Sequence, residues 1–270
     1  VNLTDRFSVK SGKAFRLSKR DPDDTAHIKH KSDAAEETLK LVDRLDHLQQ
    51  VLYAEHKRAL LIVLQGMDAA GKDGTIQHVM SGVNPQGCSV TPFKQPTHQE
   101  LDHDFLWRIH QAVPARGMIG IFNRSQYEDV LVVRVHNLVE KDVWQARYEQ
   151  INQFESMLAA NGTTILKFFL HIGKDEQKKR FDARHADPDK NWKSSPSDEA
   201  ERNYWDDYQA AYQDALANCS QPNAPWFVIP SNRKWFRNLA ISQIIVDTLE
   251  RMDLKYPKAE TPAPKAAGKK

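Results

Sequence analysis

The chain has 270 residues, 40% hydrophobic and 27% charged, which suits one globular domain with a sizeable core. A formal charge of +2 gives no bulk attraction to nucleic acid, and no apolar run approaches the ~20 residues of a membrane helix, so neither partner is expected. The two cysteines, Cys88 and Cys219, lie outside any metal or redox spacing, and Val1–Lys10 lacks a signal-like apolar stretch, so the expected compartment is a reducing cytoplasm.

Residues 1–31 are polar and basic without clear periodicity and are expected to be an N-terminal extension. Ser32 then opens a helix with Leu39, Val42, Leu45, Leu48, Val51 and Leu52 on one face, positioned to pack on a sheet. The apolar run Leu60-Leu61-Ile62-Val63-Leu64 is a buried strand that passes into a glycine-framed loop and a helix over Gly74–Ser81. The turn Asn84-Pro85-Gln86-Gly87 precedes a strand Cys88–Phe93, and Thr97 with Glu100 forms a capping box for a helix through Gln111. A strand Met118–Phe122 follows, then a long helix from about Val139 to near Gly162 and a strand Thr164–Leu170. Helices over Lys174–His185 and Asp198–Ala217, a strand Trp226–Ile229 and a final helix from about Lys234 complete the order. Strands separated by helices specify an α/β fold with a parallel sheet, placed in one domain over 32–256. The Pro, Ala and Lys tail Thr261–Lys270 has no core-forming residues, and 257–270 is expected to be disordered.

The loop Gly66-Met67-Asp68-Ala69-Ala70-Gly71-Lys72-Asp73 has the form of a phosphate-binding loop. Its glycines let backbone N–H groups turn toward phosphate oxygens, the helix start adds its positive end, and Lys72 can reach the terminal phosphates. Gly66, Ala69, Ala70, Gly71, Lys72 and Gly74 are therefore the expected cradle. The last position, ordinarily Ser or Thr, is Asp73, and Asp68 stands inside the loop. Carboxylates beside phosphates repel unless a divalent cation lies between them, so Asp68 and Asp73 are the expected metal-side groups, with magnesium as the ion and manganese as its substitute.

The strand ending at 122 releases Asn123-Arg124-Ser125-Gln126-Tyr127-Glu128-Asp129 at the edge where open α/β sheets bind ligands. Asn123 stands where many such enzymes place a magnesium-holding Asp, Arg124 can neutralise phosphate, and Glu128 or Asp129 is placed to orient metal water or the acceptor. The segment Lys174–Lys193 gathers seven cations before a break at Ser194-Ser195-Pro196. Arg180 and Arg184 are four apart, so one helical face can present two guanidinium groups to a transferring phosphate and exclude water. Interleaved acids, including Glu176 four residues before Arg180, support the alternative of a solvated surface helix.

Four separated segments carry a family resemblance. Gly-Met-Asp-Ala-Ala-Gly-Lys-Asp-Gly at 66–74, Val-Asn-Pro-Gln-Gly at 83–87, Phe-Asn-Arg-Ser-Gln-Tyr-Glu-Asp-Val-Leu-Val at 122–132, and Asn-Trp-Lys with Tyr-Trp-Asp-Asp-Tyr within 191–208 resemble polyphosphate kinase family 2 from about residue 30 to 256. The resemblance implies a P-loop kinase of thymidylate-kinase-like form, a three-layer α/β/α sandwich with a helical lid at about 174–200. It also implies magnesium-dependent, reversible phosphoryl transfer between inorganic polyphosphate and AMP, ADP or ATP, in a homo-oligomer, dimer or tetramer. Asn123 with Glu128-Asp129 is similar to the branch that phosphorylates both AMP and ADP. On that resemblance the family's loop residues map to Asp68, Lys72 and Asp73, its post-strand residues to Asn123, Arg124 and Glu128, and Arg180 and Arg184 become the lid cations. An ATP-dependent nucleoside monophosphate kinase shares the loop and lid, and a non-catalytic nucleotide sensor shares the loop.

Overall fold

The computed structural model describes residues 2–10, 14–193 and 200–258. The apolar run is strand β1 (Ala59–Gln65), buried along its whole length. It is the centre of a parallel sheet of order β2-β3-β1-β4-β5, with β2 (Cys88–Pro92), β3 (Ile119–Asn123), β4 (Thr163–His171) and β5 (Trp226–Pro230). Leu60, Ile62 and Leu64 enter one apolar cluster and Leu61 and Val63 the other. Burial on both faces is why this strand reads as a continuous apolar run rather than an alternating one.

The helices that build the layers are α1 (Leu3–Phe7), α2 (Lys31–Glu55), α3 (Lys72–Val79), α4 (His98–Leu101), α5 (Trp107–Gln111), α6 (Val132–Val135), α7 (Lys141–Ala160), α8 (Lys174–Ala186), α9 (Trp205–Cys219) and α10 (Lys234–Arg251). α10 packs on α1, α2 and α3, while α7 packs on β4 and α9. The result is the three-layer α/β/α sandwich. Register places Leu64 level with Asn123 and with Phe168, so the polar residues after β1 and β3 leave the sheet at the same edge. Among the described residues no helix is long and apolar enough to cross a membrane.

Four sequence expectations are corrected. Leu39 is 67% exposed; the buried face of α2 is Ala34, Leu41, Leu45, Leu48, Val51 and Leu52, from whose helical spacing Leu39 departs. The helix expected from Thr97 to Gln111 is two pieces. Its capping box forms, but the Asp104 side chain accepts from the Leu106 N–H at 3.0 Å, a local turn that competes with continued helix. The segment read as an extension packs into the main core through Leu3, Phe7, Val9, Phe15 and Leu17, and the Val9 N–H donates to the Trp226 carbonyl at 2.8 Å. Its apolar residues follow an irregular path, so no single period marks them. The helix expected over Asp198–Ala217 has its long part at α9, after a turn at Asn203 and Tyr204. The break Ser194-Ser195-Pro196 and the tail 261–270 lie outside the described residues.

Candidate active site

β1 runs out into the loop, and α3 begins at Lys72. Ala69 has φ +60° and Gly71 φ +106°, so the chain turns twice through left-handed backbone within three residues. A side chain at Gly71 would also put its Cβ 2.0 Å from Arg237 Nη1, so only glycine fits there.

Three consecutive carbonyls of this loop are held by side chains. Gln177 Nε2 donates to Asp68 O at 2.9 Å, Arg180 Nη1 to Ala69 O and Ala70 O at 3.0 and 3.1 Å, and Arg237 Nη1 to Ala70 O at 3.1 Å. No peptide here is cis, and in a trans peptide the carbonyl and the following N–H point opposite ways. Anchoring the Asp68 and Ala70 carbonyls therefore turns the N–H groups of Ala69 and Gly71 to the other side of the loop, a backbone arrangement chemically suited to an anion.

Lys72 lies along the loop with Nζ 2.7 Å from the Gly66 carbonyl. Burial, with Arg124 adding to it, lowers its pKa to about 8 against the pull of Asp68, Glu128 and Asp73. Arg124, at φ +65°, bridges Glu128 (3.2 Å) and Asp68 (2.8 Å), and these two carboxylates, Glu128 foremost, raise its pKa further. Asn123 Nδ2 donates to Asp73 Oδ1 at 2.9 Å. The expected loop and post-strand residues thus meet at one edge. Asp68, Arg124 and Glu128, with Gln177, Glu201 and Tyr208, border a narrow cleft of about 30 Å³.

Among the described residues no three His, Cys, Asp or Glu side chains converge as a metal cage. The hard oxygens of Asp68 and Asp73 do suit an ion that takes one or two carboxylates and completes its shell with phosphate oxygens and water, as magnesium does.

Two candidates stand elsewhere than expected. Arg180, read as a lid cation aimed at the transferring phosphate, is 9% exposed and faces the back of the loop. Besides Ala69 and Ala70 it donates to Glu176 at 2.8 Å and to the carbonyls of Ser231 and Asn232. Its position three residues after Gln177 brings it within reach of the loop carbonyls. Arg184 lies one turn further along α8, its guanidinium 5.4 Å over the Phe181 ring. Lys178 with Asp182 and Lys190 with Asp187 are exposed surface pairs, as the solvated-helix alternative has it. Asp129 pairs with Arg147, at 3.3 Å, rather than with Arg124, and burial pushes its carboxyl up to about 6.

Sequence reading did not single out Gln177, Arg237 or the network beneath β3. In that network Lys167 bonds Glu155, the Tyr127 hydroxyl (2.8 Å) and the Cys219 carbonyl (2.7 Å), and Gln126 donates to Glu155 at 3.0 Å. It anchors the turn that carries Arg124 and Glu128. Lys167 inside the apolar stretch 163–171 and Arg237 inside the apolar helix 234–251 share a visible signal: a cation within a segment whose other buried side chains are mostly apolar.

The family model described as Polyphosphate kinase 2 (PPK2) matches residues 28–257. The chain is 52% identical to the AMP/ADP-polyphosphate phosphotransferase of Meiothermus ruber, over 96% of this chain and 98% of that one. It is 46% identical to the ADP-polyphosphate phosphotransferase of Rhodopseudomonas palustris, over 96% and 94% of the two chains. The crystal structure of polyphosphate kinase 2 from Arthrobacter aurescens is similar with a TM-score of 0.94 at 46% identity, covering 97% of this chain and 94% of that chain.

Proposed function

The chain belongs to the polyphosphate kinase 2 family, and from that membership we propose that it moves the terminal phosphate of inorganic polyphosphate onto both AMP and ADP, reversibly, giving ADP and ATP. The observation that carries the reading at the site is the loop itself, with N–H groups turned to one side, Lys72 along it and Arg124 opposite.

In this mechanism the loop N–H groups hold a phosphate chain while Lys72 and Arg124 screen its charge. Asp68 and Asp73 would hold magnesium, or manganese in its place, which supplies charge neutralisation between phosphate oxygens. Glu128 fixes Arg124 from its far side, and Asn123 fixes Asp73. Arg184 is the lid cation that closes on the transferred group, since Arg180 is committed to the loop carbonyls. The acceptor phosphate is an anionic nucleophile at neutral pH, so no strong base is needed and positioning supplies most of the rate. The reading places the reaction in the cytoplasm, where Cys88 and Cys219 stay unpaired, and takes the assembly as a homo-oligomer on the family resemblance.

The test is product formation from AMP and, separately, ADP, with long-chain polyphosphate and magnesium as the only donor system. ATP from both acceptors, lost in Asp68→Asn and Lys72→Ala, is the expected result. Turnover of a monophosphate with ATP as donor and none with polyphosphate would replace this reading with an ordinary nucleotide kinase.

A further inference from the structure

Arg237 is 2% exposed, on the first turns of α10 beneath the phosphate loop. Its Nη1 donates to the Ala70 carbonyl at 3.1 Å, and its Nε and Nη2 donate to Asn238 Oδ1 at 3.1 and 2.9 Å. Among the described residues it has no carboxylate partner, and the charged group that acts on it is a second cation, Arg180. Burial, with Arg180 adding to it, lowers its pKa to about 10, so it stays charged at neutral pH.

A buried cation without a counter-ion costs stability, and a fold keeps one where it serves a site. The loop is shaped around this one. A Cβ at Gly71 would lie 2.0 Å from its Nη1. The guanidinium therefore packs directly under the loop backbone, whose opposite side carries the N–H groups suited to an anion.

We infer that Arg237 is a positioning residue for phosphate binding: it fixes the Ala70 peptide so that the Gly71 N–H faces the phosphate chain, and that chain is the counter-ion of its buried charge. The inference rests on the proposed phosphate-binding role of the loop. Arg237 touches peptide rather than substrate, so its effect falls on affinity for the phosphate chain.

The experiment is calorimetric titration of tripolyphosphate, with magnesium, into wild type, Arg237→Met and Arg237→Lys, alongside ligand-free melting of each. Arg237→Met is expected to bind about tenfold more weakly, the scale of one lost charge-assisted interaction. Its ligand-free melting temperature should be unchanged or higher, because an unpaired buried charge has gone. Arg237→Lys, which keeps the charge, should recover most of the affinity. Should the Met variant not fold, Arg237→Gln makes the same comparison with Lys. Wild-type affinity in the neutral variants, or Lys binding as weakly as they do, would overturn the inference while leaving the function intact. Wild type that binds no tripolyphosphate would overturn both.

Discussion

Asn123 Nδ2 donates to Asp73 Oδ1 at 2.9 Å, tying the end of β3 to the first turn of α3. The neutral amide lets a carboxylate sit at this distance without a second negative charge facing it. Asn123→Asp would place two carboxylates in contact, which is unfavourable unless a cation lies between them. The variant should melt lower than wild type in chelator, by about 1 kcal/mol of stability, and regain that loss in millimolar magnesium. Equal magnesium responses in the two proteins would show that Asp73 does not face the metal position.

Lys72 carries a pH signature. Its pKa in the folded protein is about 8 against 10.5 ordinarily, so it is cationic below 8 and loses its charge above it. Affinity for tripolyphosphate should fall as pH rises through 8, and this slope should be absent in Lys72→Met. The stability effect has the opposite sign. Between about 8 and 10.5 the unfolded chain binds the extra proton, so the cost of the buried ammonium is full below 8 and is relieved as pH rises. Lys72→Met should therefore be more stable than wild type at pH 7, and the difference should shrink by pH 10. A variant less stable than wild type at pH 7 would contradict the burial cost.

The elements that repeat simply were legible in the sequence. β1 declared itself because both its faces are buried, and Gly66 to Asp73 because glycines and a lysine at that spacing have few other uses. Asp68, Asp73, Asn123, Arg124 and Glu128 meet because parallel register brings two strand ends to one edge, a consequence of the βαβ order alone. Arg180 could not be placed that way. Its helical spacing is equally consistent with facing substrate or facing the loop's back, and the choice depends on where α8 docks. Residues 2–10 and 14–30 hid for a related reason, since irregular chain packed by scattered apolar residues leaves no period to find.

Lys167 and Glu155 form an ion pair with side chains 0% and 1% exposed, and burial raises the Glu155 pKa. Removing one partner leaves the other charged or polar group without compensation. Lys167→Met or Glu155→Gln should each cost about 3–5 kcal/mol of unfolding free energy in urea. Lys167→Met combined with Glu155→Leu should cost clearly less than the sum of the single changes, because no lone charge remains. Additive losses would mean that the pair acts as two independent packing elements.

Asp129 is held by Arg147, while its neighbour Glu128 pairs with Arg124. Burial puts its carboxyl at about 6 against 3.8 ordinarily, which means that desolvation outweighs the attraction of Arg147 and Arg108. Between those two values the folded protein binds the extra proton, so the stability contributed by this group is full below 3.8 and is lost as pH rises through 6. Asp129→Asn should match wild type near pH 4 and exceed it by about 1–3 kcal/mol at pH 7. Activity should move the other way. Arg147 Nη1 donates to both the Asp129 carbonyl (2.9 Å) and its carboxylate, and so fixes the 126–129 turn that presents Glu128 to Arg124. Weakening that grip should lower kcat severalfold while the protein becomes harder to unfold. Urea denaturation and steady-state rates on the same preparation separate the two effects. A variant less stable than wild type at pH 7 would show that the Arg147 ion pair, rather than desolvation, governs this carboxylate.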